Sequence, residues 1–383
     1  MADSPLDGLT HYIEDIDDPR VAGRCSHRLS DILAIAICAV ISGADNWVEV
    51  EAYGQAKQPW LASFLELPHG IPSHDTLGRV FARLDPDQFR EGFVGWVADL
   101  YAQMAGVGAG IAIDGKTLRR TGDRANAQKP LHMVSAWATD CRLVLGAVAT
   151  AEKSNEITAI PQLLALLDLT GSVITTDAMG CQRGIAAQII AQGGDYLLQV
   201  KDNQPTLHTR LRKLFVATEG AQPLPVAHET ACRTGKGHGR IERRRCWVVA
   251  DADWLRYLQR DASTEPWTGL RAVVKVERTR WVGAEESTES RYYITSLGRD
   301  AQRILGLVRG HWGIENGLHW VLDIAFREDE SRARTGHAAE NLAILRHLAV
   351  NLLKQETTLK VGIHAKRLRC AWDHAYLRKV LSV

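Results

Sequence analysis

The spacing of apolar and polar positions divides the 383-residue chain into stretches of different period. Up to about residue 100 the period is helical. Residues 28–42 are almost unbroken apolar and predict one buried helix, with Ser30 as its N-cap. Residues 46–55 and 60–65 predict two shorter helices. Gly70-Ile71-Pro72-Ser73 reads as a turn into a Ser cap, and the helix it opens stops at Asp85-Pro86, before another over 88–105. Gly106-Val107-Gly108-Ala109-Gly110 marks a boundary, after which the pattern becomes strand-like. A short apolar run over 110–114 ends in Asp114. Strands follow at 132–139 and 143–150, then a helix at 156–167. A strand at 172–176 ends before Asp177, a helix over 181–192 stops at Gly193-Gly194, and a fifth strand covers 196–201. Three strands followed by alternating helix and strand predict an α/β (mixed α+β) fold with a mixed five-stranded sheet covered by helices. Beyond a helix at 205–217, β-like runs at 244–250, 270–278 and 290–295 predict a β-rich insertion. The helical period then returns. Ile314, Leu318, Val321, Leu322 and Ala325 form one face, while His311, Glu315, His319 and Asp323 form a polar stripe at four-residue steps. A second long apolar helix spans 339–354, and the segment from 360 to 379 is basic.

Composition changes this picture little. The 46 basic and 45 acidic residues leave a formal charge of +1, so any nucleic-acid surface must come from local segregation of charge. The seven cysteines show no Cys-x-x-Cys, which argues against a disulfide scaffold or structural zinc and for a reducing cytoplasm. The acidic N-terminus lacks the basic region of a signal peptide, and the longest apolar run, 32–41, is too short to span a bilayer. No membrane role is expected. At this length more than one lobe is expected.

The chemistry concentrates at the strand ends. If the strands before Asp114 and Asp177 lie adjacent and parallel, both carboxylates emerge at one sheet edge, where ligands of such folds bind. Two close carboxylates repel, and a divalent cation between them relieves the repulsion. Oxygen-only ligation with open positions suits Mg²⁺ or Mn²⁺. Asp114, before a glycine, and Asp177 also fit ordinary turn formers when taken singly; the pair at matched positions favours the metal reading. Lys116, Arg119 and Arg120 follow the first Asp closely enough to reach phosphate.

Three motifs make the chain recognisable. Ile-Asp-Gly-Lys-Thr-Leu-Arg-Arg (113–120), Thr-Thr-Asp-Ala-Met-Gly (175–180) and His-Trp-Gly-Ile-Glu-Asn-Gly-Leu-His-Trp-Val-Leu-Asp (311–323) together resemble a DDE transposase of a bacterial insertion sequence, in the branch that includes the H-repeat-associated proteins. Gly-Ile-Pro-Ser-His-Asp-Thr (70–76), Leu-Gln-Val-Lys-Asp-Asn-Gln (198–204) and Tyr-Tyr-Ile-Thr-Ser-Leu (292–297) extend the resemblance over nearly the whole chain. It implies an RNase H-like core with Asp114, Asp177 and Glu315 as catalytic metal ligands for Mg²⁺ or Mn²⁺, two ions in all. The implied reaction is phosphodiester hydrolysis at the element ends followed by transfer of the freed 3′-hydroxyl into target DNA. Double-stranded DNA, both inverted-repeat ends and target, is the implied partner, bound by a homodimer or higher assembly at the bacterial nucleoid.

The implied organisation is an N-terminal helical domain (1–105) for DNA-end binding or assembly, where Arg79, Arg83 and Arg90 suit a groove. The core follows in two parts (106–202 and 301–356), flanking the insertion (203–300), and a basic tail (357–383) ends the chain. Lys201, Asn203, His311, Trp312 and Asn316 are expected at the DNA, and His319 and Asp323 in a supporting shell around Glu315. The wider group carries Tyr, Arg and Lys around this Glu, where the present chain has Val308, His311 and Leu322. Between 233 and 245 six basic residues stand against one acid. This stretch reads either as a solvated loop or as a DNA-backbone contact through Lys236, Arg240, Arg243 and Arg244. The cluster Glu328-Asp329-Glu330 reads as a solvated turn. A zinc or di-iron site on the polar stripe lacks the His-Glu-x-x-His or paired Glu-x-x-His spacing it would need. A nuclease that cuts without joining, or an inactive DNA-binding derivative, are the competing functions.

Overall fold

Helix α2 (Leu29–Ile41) shows how the first region is built. Apolar residues cover its whole circumference, and all but Ser30 are buried, so it must lie at the centre of a helical layer. Its N-cap is Arg28, with no side-chain cap bond; Ser30 sits inside the first turn instead. The computed structural model describes residues 5–23, 25–104, 109–123, 125–150, 155–216, 226–237, 239–260 and 265–382. Gly106-Val107-Gly108 of the boundary motif lie outside them. Around α2 pack α1 (Asp7–Glu14), α3 (Trp47–Leu61), α4 (His74–Arg83) and α5 (Pro86–Met104). The two short helices expected across 46–65 are one, α3. Pro59 lies in its last turn, where a proline removes a single ladder bond rather than breaking a long helix. Ser73 caps α4 as expected, accepting from Thr76 N at 3.3 Å.

The sheet runs in the order β3 (Leu143–Ala149), β2 (His132–Ala138), β1 (Gly110–Thr117), β4 (Val173–Thr176), β5 (Asp195–Val200), with β1–β3 antiparallel and β1, β4 and β5 parallel. This is the RNase H-like arrangement. α6 (Glu156–Ala165) and α7 (Arg183–Ala191) are the crossovers. After α8 (Pro205–Phe215) the insertion adds four antiparallel strands to the same sheet. These are β6 (His228–Gly237), β7 (Arg240–Val249), β8 (Ala272–Val282) and β9 (Glu285–Thr295), with α9 (Ala252–Leu258) between β7 and β8. β9 pairs with β5, so the five-stranded core continues into a nine-stranded sheet. The basic stretch after Arg233 is therefore paired strand. Arg233 lies opposite Arg244 and Gly237 opposite Arg240 around the turn of the β6–β7 hairpin.

α10 (Ala301–His311) leads through a π-helical turn, Glu315–His319, into α11 (Trp320–Ala325). The wide turn is accommodated by Gly317, where a Cβ would meet Trp137 at 2.9 Å. α12 (Ala338–Gln355) then runs between the helical layer and the sheet, packing on α2, α4, α5 and β3. Its Asn351 covers the edge strand, accepting from Val144 N at 2.8 Å and donating to Val144 O at 2.9 Å, which satisfies backbone groups an edge would leave bare. One hydrophobic core accordingly contains residues of α2, the sheet and α12.

The basic C-terminal segment folds back as α13 (Ile363–Trp372) and α14 (His374–Leu381). Two of its cations are buried: Lys366 donates to Leu353 O at 2.9 Å, and Arg367 donates to Val40 O and Ala44 O and pairs with Asp45. Arg90 is also buried, held by Asp87 at 2.6 Å and Glu340 at 2.5 Å, and does not present itself to a groove. Among the described residues no helix is long and apolar enough to cross a membrane.

Candidate active site

Strand register brings the two aspartates together. Ile113 pairs with Thr176 in the parallel ladder, so the next residues, Asp114 and Asp177, lie side by side where β4 ends, at a strand spacing of about 4.8 Å; β1 does not end at Asp114 as expected but continues to Thr117, still paired with β2. Asp177 is anchored by its Oδ1, which accepts from Met179 N at 2.8 Å. Burial pushes the Asp114 carboxyl up to about 7, and the nearby charges of Asp177, Glu156 and Glu315 push the same way. Asp177 is raised too, first by burial and then by Glu156, while Lys201 draws it down. Lys201 stands just past the end of β5 and is exposed.

Glu315 opens the π turn and is exposed. Its charge reaches Asp114, but among the described residues no three His, Cys, Asp or Glu side chains are arranged to hold one metal ion. His319 closes the same turn, with Nδ1 3.6 Å from Asp114 Oδ2. Burial lowers its pKa to about 4, so at neutral pH it is no counter-ion. π turns of this kind recur at functional sites, and here the turn interrupts the four-residue stripe read from the sequence.

A desolvated carboxylate raised by three like charges is the electrostatic setting that a divalent cation stabilises. The donor set thus fits Mg²⁺ or Mn²⁺ in chemistry. One consequence is measurable on the metal-free protein. Asp114 has a folded value near 7 against the usual 3.8. Below the lower value both folded and unfolded chains are protonated, and nothing is lost. As pH rises between the two, the unfolded chain ionises first and stability falls, with the whole penalty present above the folded value. Asp114→Asn removes the penalty, about 4 kcal/mol at most. Its melting temperature should exceed the parent's by about 5 °C at pH 8 and match it near pH 4. An equal difference at both pH values would contradict the assignment.

Several expected DNA contacts are engaged internally. Lys116, expected at phosphate, is 10% exposed and is enclosed by Asp323 at 2.8 Å, Glu328 at 2.9 Å and Asp329 at 3.4 Å. The acidic cluster expected to be a solvated turn thus contains Glu328, 1% exposed, with Arg346 3.8 Å away on its other side. Asp323, expected to support Glu315, belongs to this cage. His311, expected at the DNA, is pushed down to about 4 by burial and lies 3.0 Å from Thr175 Oγ1. It is a neutral tie between α10 and β4. Asn203 donates to Ala178 O at 2.5 Å, linking the loops after β5 and β4. Asn316 is exposed, its amide 3.5 Å from Trp312 O, and Trp312 lies under Arg291, 4.4 Å from the ring centre.

Arg119 is 80% exposed and 3.1 Å from Asp329, and Arg120 is exposed. On the β6–β7 hairpin Lys236 is exposed, Arg240 and Arg244 pair with Glu242 at 3.0 and 2.5 Å, and Arg243 lies over Trp281.

Glu156 is the residue that sequence reasoning missed. It lies in the first turn of α6, hydrogen-bonded to His132 Nε2 at 2.9 Å, and a Cβ on Gly115 would meet its Oε1 at 2.3 Å. From sequence it reads as an ordinary helix-start acid behind the Asn155 cap. Its one earlier signal was Gly115 directly after Asp114, a position that admits no side chain beside the His132–Glu156 pair.

Comparison with known proteins agrees with the topology. Residues 10–97 match the family model described as DDE_Tnp_1-associated, and residues 106–352 match the one described as Transposase DDE domain. The H repeat-associated putative transposase YhhI of Escherichia coli K12 is 40% identical over 98% of both chains. The putative transposase YncI of Escherichia coli O157:H7 is 39% identical over 98% of this chain and 95% of its own. Over 76% of this chain and 94% of its own length, an uncharacterized protein of Xanthobacter autotrophicus is 45% identical. A likeness that runs from the helical layer through the catalytic sheet makes the chain a member of the DDE transposase family, in the branch of the H-repeat-associated proteins.

Proposed function

We propose that this protein moves an insertion element by metal-dependent cleavage at the element's ends and transfer of the new 3′-hydroxyls into target DNA. The observation that carries this reading is the pair of strand-end aspartates, with Asp114 raised to about 7 by burial and by the carboxylates around it. Asp114, Asp177 and Glu315 would hold the ions. Bound Mg²⁺ or Mn²⁺ supplies charge neutralisation at the attacking and leaving oxygens of an in-line displacement. Lys201, Arg119 and Arg120 hold the flanking phosphates. In the first step a water oxygen forms a bond to phosphorus as the P–O3′ bond breaks; the leaving 3′-oxygen takes up one proton to become the 3′-hydroxyl, and the other proton passes to solvent from the 5′-phosphate. In the second step the freed 3′-hydroxyl oxygen attacks a target phosphodiester and a target 3′-oxygen leaves. One P–O bond forms as one breaks in each step, so no covalent protein intermediate is required.

The test is to incubate the protein with Mg²⁺, a donor-end duplex and a target plasmid. Joined products are expected. Cutting without joining would make it a nuclease. Binding with neither reaction in Mg²⁺ or Mn²⁺ would make it a DNA-binding derivative.

A further inference from the structure

A groove of about 830 Å³ runs between α3 and α4 on one side and the 327–335 segment on the other. Its charges are of two kinds. Two of its four acids are ion-paired with arginines. Asp45 pairs with Arg367 at 2.9 Å, and Glu330 pairs with Arg327. Glu49 accepts from Asp45 N at 2.7 Å, and Asp75 lies 3.7 Å from His74. The arginines are not neutralised in this way. Arg79, Arg83 and Arg332 are exposed, and none has a carboxylate within ion-pair distance among the described residues; Arg79 donates only to the backbone oxygen of Asp75, at 3.1 Å. The groove is lined by five arginines and four carboxylates, and Arg79, Arg83 and Arg332 are exposed cations there that hold no carboxylate among the described residues.

The groove is also preformed. Its two walls meet where His337 N donates to Ala82 O at 3.0 Å. Gly336, at φ +50°, makes this approach possible, because a Cβ there would meet Ala82 O at 2.2 Å. Asn341 fastens α12 to the end of α4, donating to Phe81 O and Leu84 O at 2.9 Å each. Cations held on a rigid frame lose less freedom on binding than cations on a loop.

A chain of contacts links the groove wall to the strand that bears Asp114. Arg334, on its wall, donates to Arg120 O at 3.0 Å. Arg119 is bound to Asp329, which also contacts Lys116, two residues beyond Asp114. A row of guanidinium groups thus leads from the catalytic strand ends to the N-terminal helices.

We propose that this groove seats the phosphodiester backbone of the DNA duplex flanking the scissile phosphate, with Arg79, Arg83 and Arg332 as its phosphate contacts. The proposal rests on the transposase reading above and locates the DNA on the seam between helical layer and core rather than on the β6–β7 hairpin. Such contacts carry no sequence information. They set the register of the duplex and make affinity strongly salt-dependent.

The test is binding of a fluorescently labelled duplex of arbitrary sequence by the full chain, followed by anisotropy across a salt series. The variants are Arg79→Ala/Arg83→Ala/Arg332→Ala, the same three positions changed to Lys, and the hairpin control Lys236→Ala/Arg240→Ala/Arg243→Ala. The alanine groove variant should bind about tenfold or more weakly near 0.1 M salt, with the slope of log K against log salt shallower by about 2–3. The lysine variant should keep most of the slope, since phosphate is met by charge. Should the triple variant melt early, the three single substitutions carry the test at about one unit of slope or less each. Parental affinity and slope in the alanine groove variant, while the parent binds DNA, would overturn the groove and leave the transposase reading intact. A parent that binds no duplex at any salt would overturn both.

Discussion

Glu315→Gln is expected to lower DNA cleavage by about 10³-fold or more while leaving duplex binding within about twofold of the parent. The substitution keeps size and hydrogen-bonding capacity and removes one negative charge. A ligand that stabilises the transition state by several kcal/mol through its ion accounts for a loss of this size. Glu315 is exposed and forms no ion pair among the described residues, and its charge pushes Asp114 up, so its removal breaks no contact and the melting temperature should not fall. This separates it from Asp114, whose substitution should alter both chemistry and stability. Cleavage at parental rate in Glu315→Gln would remove it from the metal-binding set. Glu156 would then be the natural third carboxylate, since its charge raises both aspartates.

The second large effect is structural. Lys116→Met should destabilise the protein by about 3–5 kcal/mol, a fall of about 4–6 °C in melting temperature. Burial works against the Lys116 ammonium, but Glu328 and Asp323 more than offset it and hold its pKa above the usual lysine range. Without the ammonium, Glu328 keeps only Arg346 at 3.8 Å while remaining 1% exposed, and an uncompensated buried charge is the costly part of breaking such a cluster. Adding Glu328→Gln to Lys116→Met should recover part of the loss. A single variant that melts with the parent would show that the cage contributes nothing to stability. The cage ties β1 to the chain beyond α11, so it also sets where the helix bearing Glu315 sits relative to Asp114.

Much of the frame was legible because it is local. β2 was read at 132–139 and is His132–Ala138, and the helix read at 156–167 is Glu156–Ala165. Alternation and capping act over a few residues and are written in a few residues. The same reading went wrong where the environment is made by distant segments. Glu328-Asp329-Glu330 looks solvated in any window of sequence, yet its first carboxylate is buried against a lysine 212 positions earlier in the chain. Lys116 looks like a phosphate ligand for the same reason, since a cation near a catalytic Asp shows no sign of its internal partners. His311 stands in an ordinary polar stripe, and only its packing against Thr175 makes it neutral.

By itself, then, the sequence determined which short runs become strands and helices, that an aspartate stands in or directly after two of those strands, and which family the three motifs resemble. Tertiary structure decided that these two strands lie adjacent and parallel, so that the aspartates meet. It also decided that the insertion continues the same sheet through β5 and β9, that a π turn brings His319 within 3.6 Å of Asp114, and which cations remain for a ligand. Period and propensity are properties of neighbouring residues, whereas desolvation and Coulomb interaction depend on whatever the fold brings within a few ångströms.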